Sequence, residues 1–137
     1  MRDLRARLPI LVGSALLAGT ASAADLPHAA LAGSASYKVN CAMCHGADAR
    51  GDGPLTDRLS VRPPDLTLLA RRNGGHYPAD QVHRIIDGRE PVKGHGGPDM
   101  PVWGDVFKPG VGFTEEDLRR RIDVLVEYLR TLQAPPE

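Results

Sequence analysis

Cys41-Ala42-Met43-Cys44-His45 is the stretch on which the reading of this chain turns. Two cysteines three positions apart fall on one helical turn, where both thiols reach the two vinyl groups of a haem, and the histidine directly after them is placed to meet the iron. This is the spacing of a c-type haem attachment, and it uses the only two cysteines in the sequence. Other uses of the pair fit less well. A thioredoxin-like motif would follow a strand, whereas the approach to Cys41 reads Ala32-Gly33-Ser34-Ala35-Ser36-Tyr37. A zinc site needs two more ligands, and His76, His83 and His95 lack the usual paired spacing. A disulfide across two residues would leave His45 without a role.

The beginning of the chain agrees with that chemistry. Arg2, Arg5 and Arg7 precede an apolar run from Leu8 to Ala18, and Ala21-Ser22-Ala23 is a small-residue cleavage site. Residues 1–23 therefore read as a secretory signal peptide cut between Ala23 and Ala24, leaving a domain over 24–137. The run is short and interrupted by Gly13, Ser14 and Gly19, which argues against a transmembrane helix and leaves an uncleaved anchor as the lesser reading. Haem is attached to an unfolded chain after export, so leader and motif support each other. In a Gram-negative bacterium the destination is the periplasm.

Without the leader, 114 residues remain, enough for one small domain, with 14 basic and 16 acidic side chains. No basic stripe points to nucleic acid and no polybasic tail points to anionic lipid. Aromatic residues are few: Tyr37, Tyr77, Trp103, Phe107, Phe113 and Tyr128. A chain this small and loop-rich is expected to take much of its core from the haem, and to fold poorly without it.

The expected fold class is all-α, three to five helices with long loops wrapped around one covalently attached haem. A first helix over about 33–44 delivers the motif, after an alanine-rich lead-in without pattern, and Gly46 can stop it. Residues 46–64 read as loop, and Asp65 caps a short helical piece that ends before Gly74-Gly75. Asp80 to Asp87 is a short helix with Val82, Ile85 and Ile86 on one face and Gly88 as its stop. Residues 88–112 hold seven glycines and four prolines and read as shaped loop without regular structure. Asp48, Asp52 and Asp57 lack the offsets of a calcium loop and read as solvated. The last helix is the clearest, with Thr114 as N-cap, acids in its first turn, and an apolar stripe of Leu118, Ile122, Leu125, Leu129 and Leu132. Pro135 and Pro136 end it.

With these residues in place the chain resembles a class I cytochrome c, and the segment IDGREPVKGHGGPDMPVWG is similar to that of small bacterial monohaem members. The resemblance implies a cytochrome c fold, a histidine and methionine axial pair, and single-electron transfer. It places His45 as the proximal and Met100 as the distal ligand, and assigns Pro64 the carbonyl that accepts the proton on the other nitrogen of His45. It also implies that Gly33 and Tyr37 meet Tyr128 where the first helix crosses the last. Elimination supports Met100, because Met1 leaves with the leader and Met43 is fixed between the cysteines; His95 on the iron is the alternative. With only Lys38, Lys93 and Lys108, the chain lacks the lysine-rich surface of the mitochondrial members.

These assignments imply a cofactor set of one haem c and outer-sphere electron transfer with both axial positions filled, a carrier and not an enzyme. Trp103 and Arg89 are the candidate donors to the haem propionates, against a packed indole and a surface salt bridge. The expected partners are redox proteins, donor and acceptor unidentified, with peripheral association with a membrane redox complex open, and the chain itself a monomer. Two alternatives share the same motif: a haem protein with a labile sixth site lined by His76, His83 or His95, acting as a peroxidase or gas sensor, and a haem subunit fixed to a dehydrogenase or oxidase.

Overall fold

The computed structural model describes residues 25–90, 100–108, 110 and 112–135. Among them are six α-helical segments and no strand: α1 (Asp25–Asn40), α2 (Ala42–His45), α3 (Leu69–Arg72), α4 (Ala79–Asp87), α5 (Trp103–Val106) and α6 (Glu115–Thr131). The all-α expectation stands, and the count exceeds three to five because α2, α3 and α5 are single turns.

The first helix begins at Asp25, eight residues before the expected start. Alanine needs no amphipathic pattern to be helical, and Pro27 stands in the first turn, where a missing N–H costs nothing. Among the described positions of α1, the buried ones are Gly33 and Tyr37, one turn apart on one face. The helix is interrupted at Cys41 and resumes, since the His45 N–H donates to the Cys41 carbonyl at 2.9 Å. Gly46 stops it with a positive φ of 83°.

α6 is built as its residues require. Thr114 and Asp117 form a reciprocal capping box, and Leu118, Ile122, Leu125, Val126 and Leu129 are buried along one face. Leu132 lies at the C-cap, half-buried, so the stripe ends one position earlier than its spacing suggests. α1 crosses α6 at Gly33, where a Cβ would strike the Val124 carbonyl and come within 2.7 Å of the Tyr128 Cβ. The Tyr37 and Tyr128 rings meet beside it, centroids 5.3 Å apart. The crossing implied by the resemblance is thus present.

α4 supplies the second wall, with Val82 and Ile86 buried and Gly88 closing it in the left-handed conformation at φ +88°. The 3₁₀ turn Leu66–Leu68 and α3 supply the third. Asp65 caps that turn by accepting from the Thr67 N–H at 2.8 Å, and the Thr67 bonds hold its carboxyl below the usual range. This third wall is pinned from the far end of the chain. Gln133 accepts from the Ala70 N–H and donates to the Leu66 carbonyl, while the Ala134 N–H donates to the Thr67 carbonyl. Tyr77 adds a bond from its hydroxyl to the Val126 carbonyl at 2.9 Å. Among the described residues of the loop expected over 88–112 there is one helical turn, α5, stabilised by the packing of Trp103 on Phe107 at 5.2 Å.

Candidate cofactor site

The three walls leave an open cleft between them, with about 890 Å³ of empty space counting its mouth. Cys41, His45, Pro64, Met100 and Trp103 all line it, so five of the six residues assigned to attachment, ligation, the histidine's carbonyl partner and the indole donor converge. The sixth, Cys44, is half-buried beside His45. Between them the surface is apolar: Leu66 and Leu69 on one side, Val82, Ile85 and Ile86 on another, Leu125 and Leu129 below.

His45 is buried and positioned by its backbone as well as by the helix it ends. The loop after it folds back underneath, with the Gly51 N–H donating to the His45 carbonyl at 2.8 Å. Thr56 locks this loop, its hydroxyl bonding both the Cys44 and the Gly51 carbonyls. There is no room for a side chain at Gly53, where a Cβ would enter the backbone of Ala42, Met43 and Cys44. Ala49, fully buried at φ +60°, accepts from the Leu66 N–H and so brings Pro64 to the rim of the same cleft. Nothing in the sequence singles out Thr56 or Ala49; a glycine-rich loop announces a turn without saying which neighbours lock it.

The two cysteines are not joined in a disulfide. Burial, with a smaller contribution from Cys44, pushes the Cys41 thiol up to about 12. Tyr37 is raised further, chiefly by burial, and spends its hydroxyl on the Gly46 carbonyl at 2.8 Å. Trp103 is the informative polar group, because its Nε1 is buried and has no acceptor among the described residues. A buried donor without a partner is unfavourable, so an acceptor brought by a bound group fits here.

Arg89 is corrected. It is taken up by Asp87 and by Glu115, the latter at 3.2 Å, and does not line the cleft. His76 and His83 do not line it either; His83 sits 3.5 Å from Asp123 on α6. His95 lies outside the described residues, as does the proposed leader. Asp48, Asp52 and Asp57 are exposed, and no cluster of three or more His, Cys, Asp or Glu side chains that could hold a metal ion occurs among the described residues.

The family model described as Cytochrome c matches residues 30–133. The chain belongs to the cytochrome c family. No curated protein and no solved structure matches it. Cytochromes c bind haem c covalently, and Cys41 and Cys44 have the attachment spacing, so the cofactor is haem c and the role is that of a haem-binding electron carrier. The residues present fit the group: an apolar cleft, the attachment motif at its edge, and a buried indole N–H that the described polypeptide leaves unmatched.

Proposed function

We propose that this cytochrome c is an exported monohaem electron carrier, with Cys41 and Cys44 as thioether attachments and His45 and Met100 as axial ligands. The observation that carries this reading is the convergence of His45, Met100, Cys41, Pro64 and Trp103 on one apolar cleft. Bound haem c supplies a one-electron ferric/ferrous couple. His45 is held by α2 and by the Gly51 bond to its carbonyl. Pro64, on the rim of the same cleft, is the residue whose carbonyl would accept from the second ring nitrogen of His45, fixing the ring and raising its basicity. Met100 contributes a neutral thioether, and the Leu, Ile and Val walls exclude water; both favour the reduced state. Trp103 donates its buried N–H to a propionate.

The arginine-rich start, apolar run and Ala-Ser-Ala site support export to the periplasm with cleavage after Ala23. The partners are redox proteins met without a lysine ring, and the chain works as a carrier without bond chemistry of its own. In the test, ferric wild type shows the weak far-red band of sulfur bound to iron, and Met100→Ala loses it, binds cyanide faster and has a lower potential. A wild type without the band, or a variant with unchanged spectrum and potential, removes Met100 from the iron. Haem that leaves the polypeptide on denaturing electrophoresis removes the thioethers.

A further inference from the structure

Met100 stands between two stretches of chain that the structure ties to one another. Upstream, Gly88 ends α4 and Glu90 is bonded back to it, accepting from Arg84 at 3.0 Å and from Gln81 at 2.9 Å. Downstream, α5 returns to the same place. A Cβ on Gly88 would collide with the Val102 side chain, and one on Gly104 would meet both the carboxylate and the backbone carbonyl of Asp87. Asp87 is therefore enclosed between the two limbs, and it is the only buried carboxylate among the described residues, at 7% exposure.

A carboxylate withdrawn from water is costly unless it is paired. Asp87 pairs with the Nε of Arg89, two residues further into the loop. The same guanidinium reaches Glu115 at 3.2 Å, and Lys108, beyond Met100, reaches the other oxygen of Glu115 at 3.6 Å. The chain of charges Asp87, Arg89, Glu115, Lys108 thus spans the base of the loop from one limb to the other, across the first turn of α6. The outer pairs are exposed and hold little by themselves. The buried member carries the junction.

We propose that Asp87 is a positioning residue for Met100: by gripping Arg89 on one limb and backing onto Gly104 on the other, it fixes the base of the loop and so where the thioether stands in the cleft. The inference rests on Met100 being the distal ligand. A thioether is neutral and readily displaced, so the fraction of time it is bound depends on how firmly its loop is kept from an alternative arrangement. Outer partners of this kind change ligand hold without touching the metal.

The test uses ferric holoprotein and follows the rate at which added imidazole abolishes the far-red band, in wild type, Asp87→Asn, Asp87→Ala, Arg89→Gln and Tyr128→Ala. Both Asp87 variants should be displaced about tenfold faster or more, Arg89→Gln by a smaller factor. Tyr128→Ala, at the α1–α6 crossing, should lower Tm yet keep the wild-type rate. Asp87 variants at the wild-type rate, or accelerated no more than Tyr128→Ala at equal loss of Tm, overturn the proposal. If neither Asp87 variant folds with haem, Arg89→Gln decides, since its side chain is 64% exposed; a wild-type rate there overturns it. A wild type lacking the band, or Met100→Ala keeping it, fails the ligand assignment and this inference together. A normal band lost in Met100→Ala, with Asp87 variants unmoved, fails this inference alone.

Discussion

Trp103 serves packing and cofactor with different atoms. Its ring lies on Phe107, while its Nε1 is buried with no protein acceptor among the described residues. Trp103→Phe keeps an aromatic ring beside Phe107 and deletes the donor together with part of the indole. A hydrogen bond to a charged group is worth about 1.5–3 kcal/mol, so urea unfolding of the holoprotein should show a loss of at least that size. An unchanged midpoint would reduce Trp103 to a packing residue. The contrast with Arg89 shows what a sequence can hold at this scale. Cys41, Cys44 and His45 are legible because their geometry is local to one helical turn. Trp103 and Arg89 look equivalent in the sequence as propionate donors, and the difference lies in Glu115, 26 residues beyond Arg89, whose approach depends on tertiary packing.

Helix α6 is readable almost entirely from its residues, because its cap and stripe obey local rules. Thr114→Ala removes the hydroxyl that bonds the Asp117 N–H and should cost about 1 kcal/mol. Bonds from the Thr114 side chain and backbone, then Arg120, hold the Asp117 carboxyl down to about 2. A depressed acid stabilises the fold above its ordinary value of ~3.9 and ceases to do so as the pH falls through the lowered one. The stability gap between wild type and Thr114→Ala should therefore be constant above about pH 4 and narrow between there and about pH 2; a gap independent of pH would detach Asp117 from the cap. α1 is half legible. Its Gly33–Tyr37 face is marked by resemblance, while Asp25 to Ala32 lacks amphipathic pattern, and alanine propensity alone extends the helix there. At the crossing, Gly33→Leu would drive a side chain into the Val124 carbonyl; overpacking of this kind costs about 1–3 kcal/mol or more, read as a lowered Tm.

At the scale of the molecule, α6 packs directly on α1 and, over a smaller area that includes His83 beside Asp123, on α4, whereas the Leu66–Leu69 segment faces it across the cleft. The walls Val82, Ile86, Leu66, Leu69, Leu125 and Leu129 belong to three separate parts of the chain, and their inner faces need something apolar between them. This accounts for long loops in a small domain, an arrangement uncommon unless a bound group organises it. It also refines the expectation that the haem-free protein folds poorly, by predicting which part survives. In Cys41→Ala/Cys44→Ala without haem, the α1–α6 crossing keeps Gly33 against Val124, the paired Tyr37 and Tyr128, and the buried Ile122. Residues 64–72 and α4 lose the apolar filling on their inner faces, and the bonds from Gln133 and Tyr77, with the smaller direct contact of α4 on α6, are too few to replace it. Hydrogen exchange should show protection retained at the centres of α1 and α6 and lost over 64–72 and 79–88, with far-ultraviolet circular dichroism reduced but not abolished. Uniform loss of protection would mean that the helix pair depends on haem as much as the walls do. Uniform retention would mean that the polypeptide fills the cleft by itself, and the organising role assigned to the cofactor would be wrong.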